Sequence, residues 1–354
     1  MGSSLMFVRD GAVALKHFVG YQDLATKRPV DEETIYHWAS ITKTLTGVAI
    51  MQLRDRGLFS LDDPAVKYVP ELRQVHNPFG DISQVTIRQL MSHSAGFRAG
   101  TWPWGGDQPW HPFEPTRWDQ VVAMFPYTEI LFKPGTKYSY SNPGVIFLGR
   151  IIELFSGDDY EVYITKNIFM PLGMTRSFFD RAPYHLVAHR SHSYVRNDEG
   201  LKEQRFDFDT GITVSNGGLN APLGDMTKWL TFFIDGNDAI LKRSSLDEMF
   251  TPQIRATDGE GGSGEDVQAG LSSFIERYPS KGSSTGTIEL IGHSGDQNGF
   301  ISHLYLHRPT RSGYVVSFNT DATSTRDHEK TTRAADNALR DVIIRELFQP
   351  VRSK

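Results

Sequence analysis

Cysteine is absent from the chain. That removes disulfide staples, thiolate zinc sites and cysteine nucleophiles at once, and it leaves the redox compartment open. No apolar run approaches the roughly 18 residues that a membrane-spanning helix requires, and no basic-then-apolar leader opens the chain. Localisation is therefore expected to be cytoplasmic for the chain as it stands. A periplasmic or secreted destination stays open if residues 1–4, which read as a vector remnant, replace a natural leader. An excess of positive charge is missing as well. The 37 Lys and Arg stand against 42 Asp and Glu, a net charge of −5, and the basic residues are scattered, so no nucleic-acid partner is expected. Internal repeats and heptads are also lacking, which sets array architectures aside. What remains is a globular composition, with 39% hydrophobic residues and a mean hydropathy of −0.37. At 354 residues this is long enough for two domains, or for one carrying a large insertion.

The chain opens on a hairpin pattern. Asp10-Gly11 separates two apolar runs, and both residues tolerate the positive φ of a tight turn. Between residues 40 and 56, Leu45, Val48, Ala49, Ile50, Met51 and Leu53 recur at helical spacing, with Gly57 as a stop. Residues 61–175 carry helix-like stretches at 86–93, 118–124 and 145–155, separated by Pro- and Gly-containing turns. A strand is expected near 271–276, a second hairpin over 300–307 and 313–319, and a closing helix over 326–348. Residues 256–267 and 279–286 read as Gly-rich surface loops. The stretch 100–113 has neither helical nor strand period, yet it holds Trp102, Trp104 and Trp110. It is either a substrate wall or a coil packed on its own domain.

Three short motifs carry chemistry. In Ser40-Ile41-Thr42-Lys43 the serine and lysine are three residues apart, which on a helix puts hydroxyl and amine on one face. A desolvated lysine amine can take the proton that makes serine a nucleophile, and a helix N-terminus favours the developing oxyanion. The bland alternative is a capping serine beside a solvated lysine. Tyr140-Ser141-Asn142 offers a phenol for proton transfer and an amide for holding a substrate carbonyl, against a loop tyrosine with an Asx turn. His293-Ser294-Gly295-Asp296 ends an apolar strand in small residues, where a backbone N–H can approach a bound carbonyl.

Their order and spacing resemble the three motifs of the serine β-lactamase and penicillin-binding-protein superfamily. The nearest likeness is to its class C branch, with family VIII carboxylesterases and D-aminopeptidases. Further family-like stretches include Gly57-Leu58-Phe59-Ser60-Leu61-Asp62-Asp63-Pro64, Leu90-Met91-Ser92-His93-Ser94-Ala95-Gly96, Pro171-Leu172-Gly173-Met174 and Gly217-Gly218-Leu219, so the resemblance spans about 20–319. It implies an α/β (α+β) fold: a mainly antiparallel sheet flanked by helices, with an inserted all-helical domain. Residues 1–60 and 205–354 would build the α/β domain, residues 61–204 the mostly helical insertion, and the site would lie at their seam. The resemblance also implies a serine hydrolase working through an acyl-enzyme, without metal or organic cofactor. Ser40 would be the nucleophile, Lys43 and Tyr140 would share the proton transfers, and Asn142 would orient substrate. His293 and Gly295 fall in the third motif, and the backbone N–H groups of Ser40 and Asp296 would form the oxyanion hole. A carboxylesterase or amidase on small acyl substrates is the leading expectation. A D-amino-acid peptidase, a weak β-lactamase and an inactive sensor or scaffold are the alternatives.

Two departures qualify the resemblance. The third motif opens with His293 where the β-lactamases have lysine, so anion binding is expected to be weaker, which favours esters and D-amino-acid amides. A helix that relatives place before the first strand is missing, and a homodimer is one way to cover the face it would protect. Two competing signals are discounted. Gly282-Ser283-Ser284-Thr285-Gly286 matches a nucleophile elbow but lacks the strand before and the helix after it. His185, His189 and His192 have a metal-like spacing without the glutamate of the zinc motif, and Pro183 argues against a continuous helix there.

Overall fold

A computed structural model describes residues 2–100, 115–204, 209–257, 266–279, 287–324, 327 and 330–348. A nine-stranded sheet is its spine. Its strands are β1 (Gly2–Arg9), β2 (Ala12–Asp23), β3 (Arg28–Pro29), β4 (Ile254–Arg255), β5 (Asp266–Ala269), β6 (Phe274–Pro279), β7 (Thr287–Gln297), β8 (Phe300–His307) and β9 (Ser312–Phe318). They lie in the order β3-β2-β1-β9-β8-β7-β6-β5-β4, and every neighbouring pair is antiparallel.

The expected hairpins are present. Asp10 and Gly11 both have positive φ (+49° and +75°), as the tight turn between β1 and β2 requires. β8 and β9 form the second hairpin, and β9 closes on β1 with Ser3 opposite Phe318, which joins the two ends of the chain in one sheet. Asn319 fastens that seam: its Oδ1 accepts from the Gly2 N–H (2.7 Å) and its Nδ2 donates to Tyr21 O (2.9 Å). Residues 2–4, read from sequence as a remnant, are therefore part of β1, and the Ser4 hydroxyl bonds the buried Tyr36 hydroxyl at 2.8 Å.

Helices cover both faces of the sheet. On one side lie α1 (Thr42–Asp55), α2 (Asn142–Ser156) and α3 (Leu223–Asp235), whose buried residues share one core with Met6, Val8, Leu304 and Val315. On the other, α4 (Thr332–Val342) and the wider turn Ile343–Leu347 place Ile343, Ile344 and Phe348 against Leu5, Phe7 and Tyr314. The closing helix thus begins at Thr332 rather than 326. The Thr331 hydroxyl accepts from the Ala334 N–H and fixes that start. The strand expected at 271–276 runs instead over Phe274–Pro279. Ser272 takes a left-handed φ of +57° and sends its N–H to Met91 O (2.7 Å), out of the ladder.

Residues 61–204 contribute α2, several short helical turns and the strand Phe178–Phe179. They end in the hairpin Ser193–Asn197 with Gly200–Gln204, whose first strand pairs in parallel with Thr320–Ala322 from the far end of the chain. Phe178–Phe179 and Ile35–His37 flank Leu219–Pro222 in a small antiparallel sheet. That sheet leads the chain into Trp38 and the start of α1.

Candidate active site

Trp38 is fully buried and anchored twice, its backbone N–H on Leu219 O (2.9 Å) and its indole N–H on Ala221 O (2.8 Å). The chain then turns sharply. Ala39 has φ +46°, a left-handed conformation that a residue with a Cβ adopts at a cost, immediately before the serine. Ser40 sits in the tight turn Ala39–Ile41 ahead of α1, so the helix expected from residue 40 begins two residues later. Thr42 holds this turn, its hydroxyl donating to Ala39 O (2.6 Å) and accepting from the Leu219 N–H (3.1 Å).

Lys43 is completely buried. Its Nζ donates to Ser40 Oγ (2.9 Å) and to Asn216 O (2.8 Å), and it lies 4.9 Å from the centroid of the Tyr140 ring. The spacing read from the sequence therefore does bring hydroxyl and amine together. No side-chain pattern in the sequence marks Asn216, because the contact uses a main-chain oxygen; the adjoining Gly217-Gly218 pair is the signal of a tight approach. Gly217 faces Ala39, its hypothetical Cβ falling 3.8 Å from Ala39 C.

Tyr140 reaches the lysine because α2 starts just behind it. Ser141 caps that helix, its hydroxyl accepting from the Gly144 N–H (3.1 Å), and Pro143 occupies the first turn, where no N–H is needed. The Asn142 N–H donates to Ala99 O (3.2 Å), and the Asn142 Oδ1 is buried with no hydrogen-bond partner among the described residues. Behind Tyr140 lies His93, whose ring is 4.5 Å from the tyrosine ring. His93 has φ +56°, and its Nδ1 accepts from the Ser141 N–H (3.1 Å), which places the ring proton on Nε2 and makes the imidazole neutral. Burial first, then Lys43 and His293, hold its pKa well below the usual histidine value.

The third motif lies on β7. Past Gly292, opposite Phe274, β7 has no partner on the β6 side among the described residues, so its segment from His293 to Gln297 presents an unpaired edge. Asn298-Gly299 forms a tight turn with Gln297 opposite Phe300. Alternation from that pair turns the backbone groups of Ser294 and Asp296 toward the open edge. Gly295 touches Trp38: a Cβ there would stand 2.2 Å from Trp38 O. The Asp296 side chain points away to the surface and pairs with Arg333 of α4. His293 is 2% exposed, with its ring centroid 4.9 Å from that of Phe274 and 6.2 Å from that of Tyr140. Burial and then Lys43 lower its pKa to about 3, the Ser294 carbonyl opposing them. It is a neutral imidazole, and not the weak cation its unperturbed value would make it.

Ser40, Lys43, Tyr140 and His293 thus converge around the turn between Trp38 and α1, with the Gly295–Asp296 backbone alongside, and Asn142 follows Tyr140 by two residues at the start of α2. Trp102, Trp104, Trp110 and Ser284 lie outside the described residues. The three histidines of the metal-like spacing separate: His189 faces Glu33 (3.2 Å) and His192 pairs with Glu203 (2.7 Å). Among the described residues, no three His, Asp or Glu side chains are placed to hold a metal ion.

The Beta-lactamase family model matches residues 1–339. The chain belongs to the β-lactamase family. Three similar proteins put this member of the β-lactamase family in context. Protein flp of Staphylococcus aureus is 27% identical over 318 residues, 90% of this chain and 59% of its own length. The chain thus spans about 59% of that curated relative. Among solved structures, an octameric penicillin-binding protein homologue from Pyrococcus abyssi aligns with a TM-score of 0.75 at 31% identity, covering 90% of this chain and 69% of that one. The D-amino acid amidase of Ochrobactrum anthropi SV3 aligns with a TM-score of 0.76 at 22% identity over 97% and 93%, which shows the shared fold of this β-lactamase-family chain.

Proposed function

We propose that the chain is a serine hydrolase that works through an acyl-enzyme on Ser40, cleaving small esters or amides. The observation that carries this reading is the Lys43 amine, fully buried and 2.9 Å from Ser40 Oγ, with the Tyr140 ring against it. With its amine unprotonated, Lys43 accepts the Ser40 proton as Oγ attacks the substrate carbonyl carbon. The carbonyl oxygen becomes an oxyanion, received by the backbone N–H groups of Ser40 and Asp296. The oxyanion collapses, the bond to the leaving atom breaks, and that atom takes the proton back by way of Lys43 and Tyr140. Water then attacks the acyl carbon, giving its proton to the same pair, and the Ser40–acyl bond breaks to release the acid and restore the hydroxyl. Asn142 orients the acyl group.

A second reading, a peptidase on D-amino-acid peptides, is supported by the 31% identity to the penicillin-binding protein homologue. The octameric assembly of that homologue also supports self-association of this chain, for which light scattering should give a mass above the monomer; a clean monomer would count against it.

The test compares initial rates on p-nitrophenyl butyrate, nitrocefin and D-alanine p-nitroanilide for wild type and Ser40→Ala. Ester cleavage that disappears with Ser40 is the expected result, and preference for the anilide would promote the peptidase reading. Silence on all three would favour a sensor or scaffold.

A further inference from the structure

Resting on the serine-hydrolase reading, we propose that the substrate's leaving group presents an N–H donor, and not a carboxylate, to His293. The tautomer carries the argument. His293 Nδ1 lies 2.5 Å from Ser294 O, and a carbonyl only accepts, so Nδ1 holds the proton and Nε2 is a lone-pair acceptor. That Nε2 is buried and has no partner among the described residues. Buried acceptors are normally satisfied, so a site that leaves this one bare is shaped for something that donates.

The side of the substrate follows from the proton path. Tyr140 and Lys43 return the proton to the leaving atom, and the His293 ring flanks Tyr140 at 6.2 Å. The oxyanion donor, Asp296 N–H, is three residues further along β7, about 10 Å at strand rise. The acyl carbonyl therefore belongs at the Asp296 end and the leaving group at the His293 end. A carboxylate there would be desolvated against that lone pair, whereas an amide or amine N–H would satisfy it. Lowering the pH does not rescue the carboxylate, because burial and Lys43 keep His293 neutral down to about pH 3.

The experiment uses two thioesters of one acyl group, with mercaptoacetamide and mercaptoacetate as leaving groups. Released thiol is read with a disulfide dye, to which a chain without cysteine adds no background. Rates are normalised to hydroxide-catalysed hydrolysis of each compound and measured for wild type, Ser40→Ala and His293→Lys. Wild type is expected to favour the amide in kcat/KM at least tenfold, and His293→Lys to shrink that ratio at least tenfold. Ser40-dependent turnover with a smaller amide preference, or with carboxylate preference, overturns this inference and leaves the hydrolase reading intact. No Ser40-dependent turnover of either thioester overturns both. If His293→Lys fails to fold, the wild-type ratio alone decides.

Discussion

Replacing Gly295 with alanine adds one methyl group at the point where β7 meets the nucleophile turn. Its Cβ would stand 2.2 Å from Trp38 O, 2.7 Å from Ser302 Oγ and 3.1 Å from Trp38 C. The serine hydroxyl can rotate away, but the Trp38 carbonyl cannot. Its residue is fully buried and fixed by Leu219 O and Ala221 O, and the carbonyl itself accepts from the Ile41 N–H (3.1 Å). Ordinary contact requires β7 to withdraw by about 1 Å, and overpacking of this kind costs about 1–3 kcal/mol of stability. The same shift carries the Asp296 N–H away from the oxyanion. A displacement of about 1 Å at reacting groups is worth about a hundredfold in rate, or about 2.7 kcal/mol. The assay is kcat/KM on the best wild-type ester, beside a thermal melt. A fall of about a hundredfold with a Tm lower by a few degrees is expected. A folded Gly295→Ala enzyme with wild-type kcat/KM would show that β7 does not supply the oxyanion donor.

Acid should loosen the fold. His37 and His293 have pKa values lowered to about 4 and about 3, chiefly by burial, and His93 is lowered too. The unfolded chain, near 6.5, therefore takes up protons first. Their stabilisation is complete above about pH 6.5 and falls toward pH 4, each histidine adding up to about 1.4 kcal/mol per pH unit; a Tm flat from pH 7.5 to 4.5 would contradict this. Glu276, wholly buried under α4, receives Arg340 (3.0 Å) and the hydroxyls of Tyr278 and Tyr305. Arg340→Ala should cost about 3–5 kcal/mol in urea unfolding, since it strands a buried carboxylate, and a loss under about 1 kcal/mol would refute that role. Lys43→Ala and Tyr140→Phe should each lower kcat/KM at least about a hundredfold. A Tyr140→Phe enzyme at wild-type rate would remove the phenol from the proton path.

The parts of the site that local geometry decides were legible in the sequence. Ser40 and Lys43 are one helical turn apart, and Asp10-Gly11 turns the first hairpin. What stayed hidden depends on contacts between distant segments. The Asn216 carbonyl on Lys43 and the His93 ring behind Tyr140 join residues far apart in sequence, with no side-chain spacing to reveal them. The neutrality of His293 was hidden as well, because residue type supplies only the unperturbed value, and burial beside Lys43 decides the actual one. Boundaries slipped for similar reasons. A threonine cap moved the start of the last helix to Thr332, and the left-handed Ser272, bonded to Met91, pushed β6 three residues along.

The most direct test of the central claim is to find the acyl group itself. Wild type would be mixed with p-nitrophenyl butyrate, quenched in acid within the first turnovers, digested and mapped by mass spectrometry. A butyryl group on Ser40 is expected, absent from Ser40→Ala and accumulating when Tyr140→Phe slows its release. A butyryl group on Ser284, or undiminished turnover by Ser40→Ala, would contradict the assignment of the nucleophile and the site built around it.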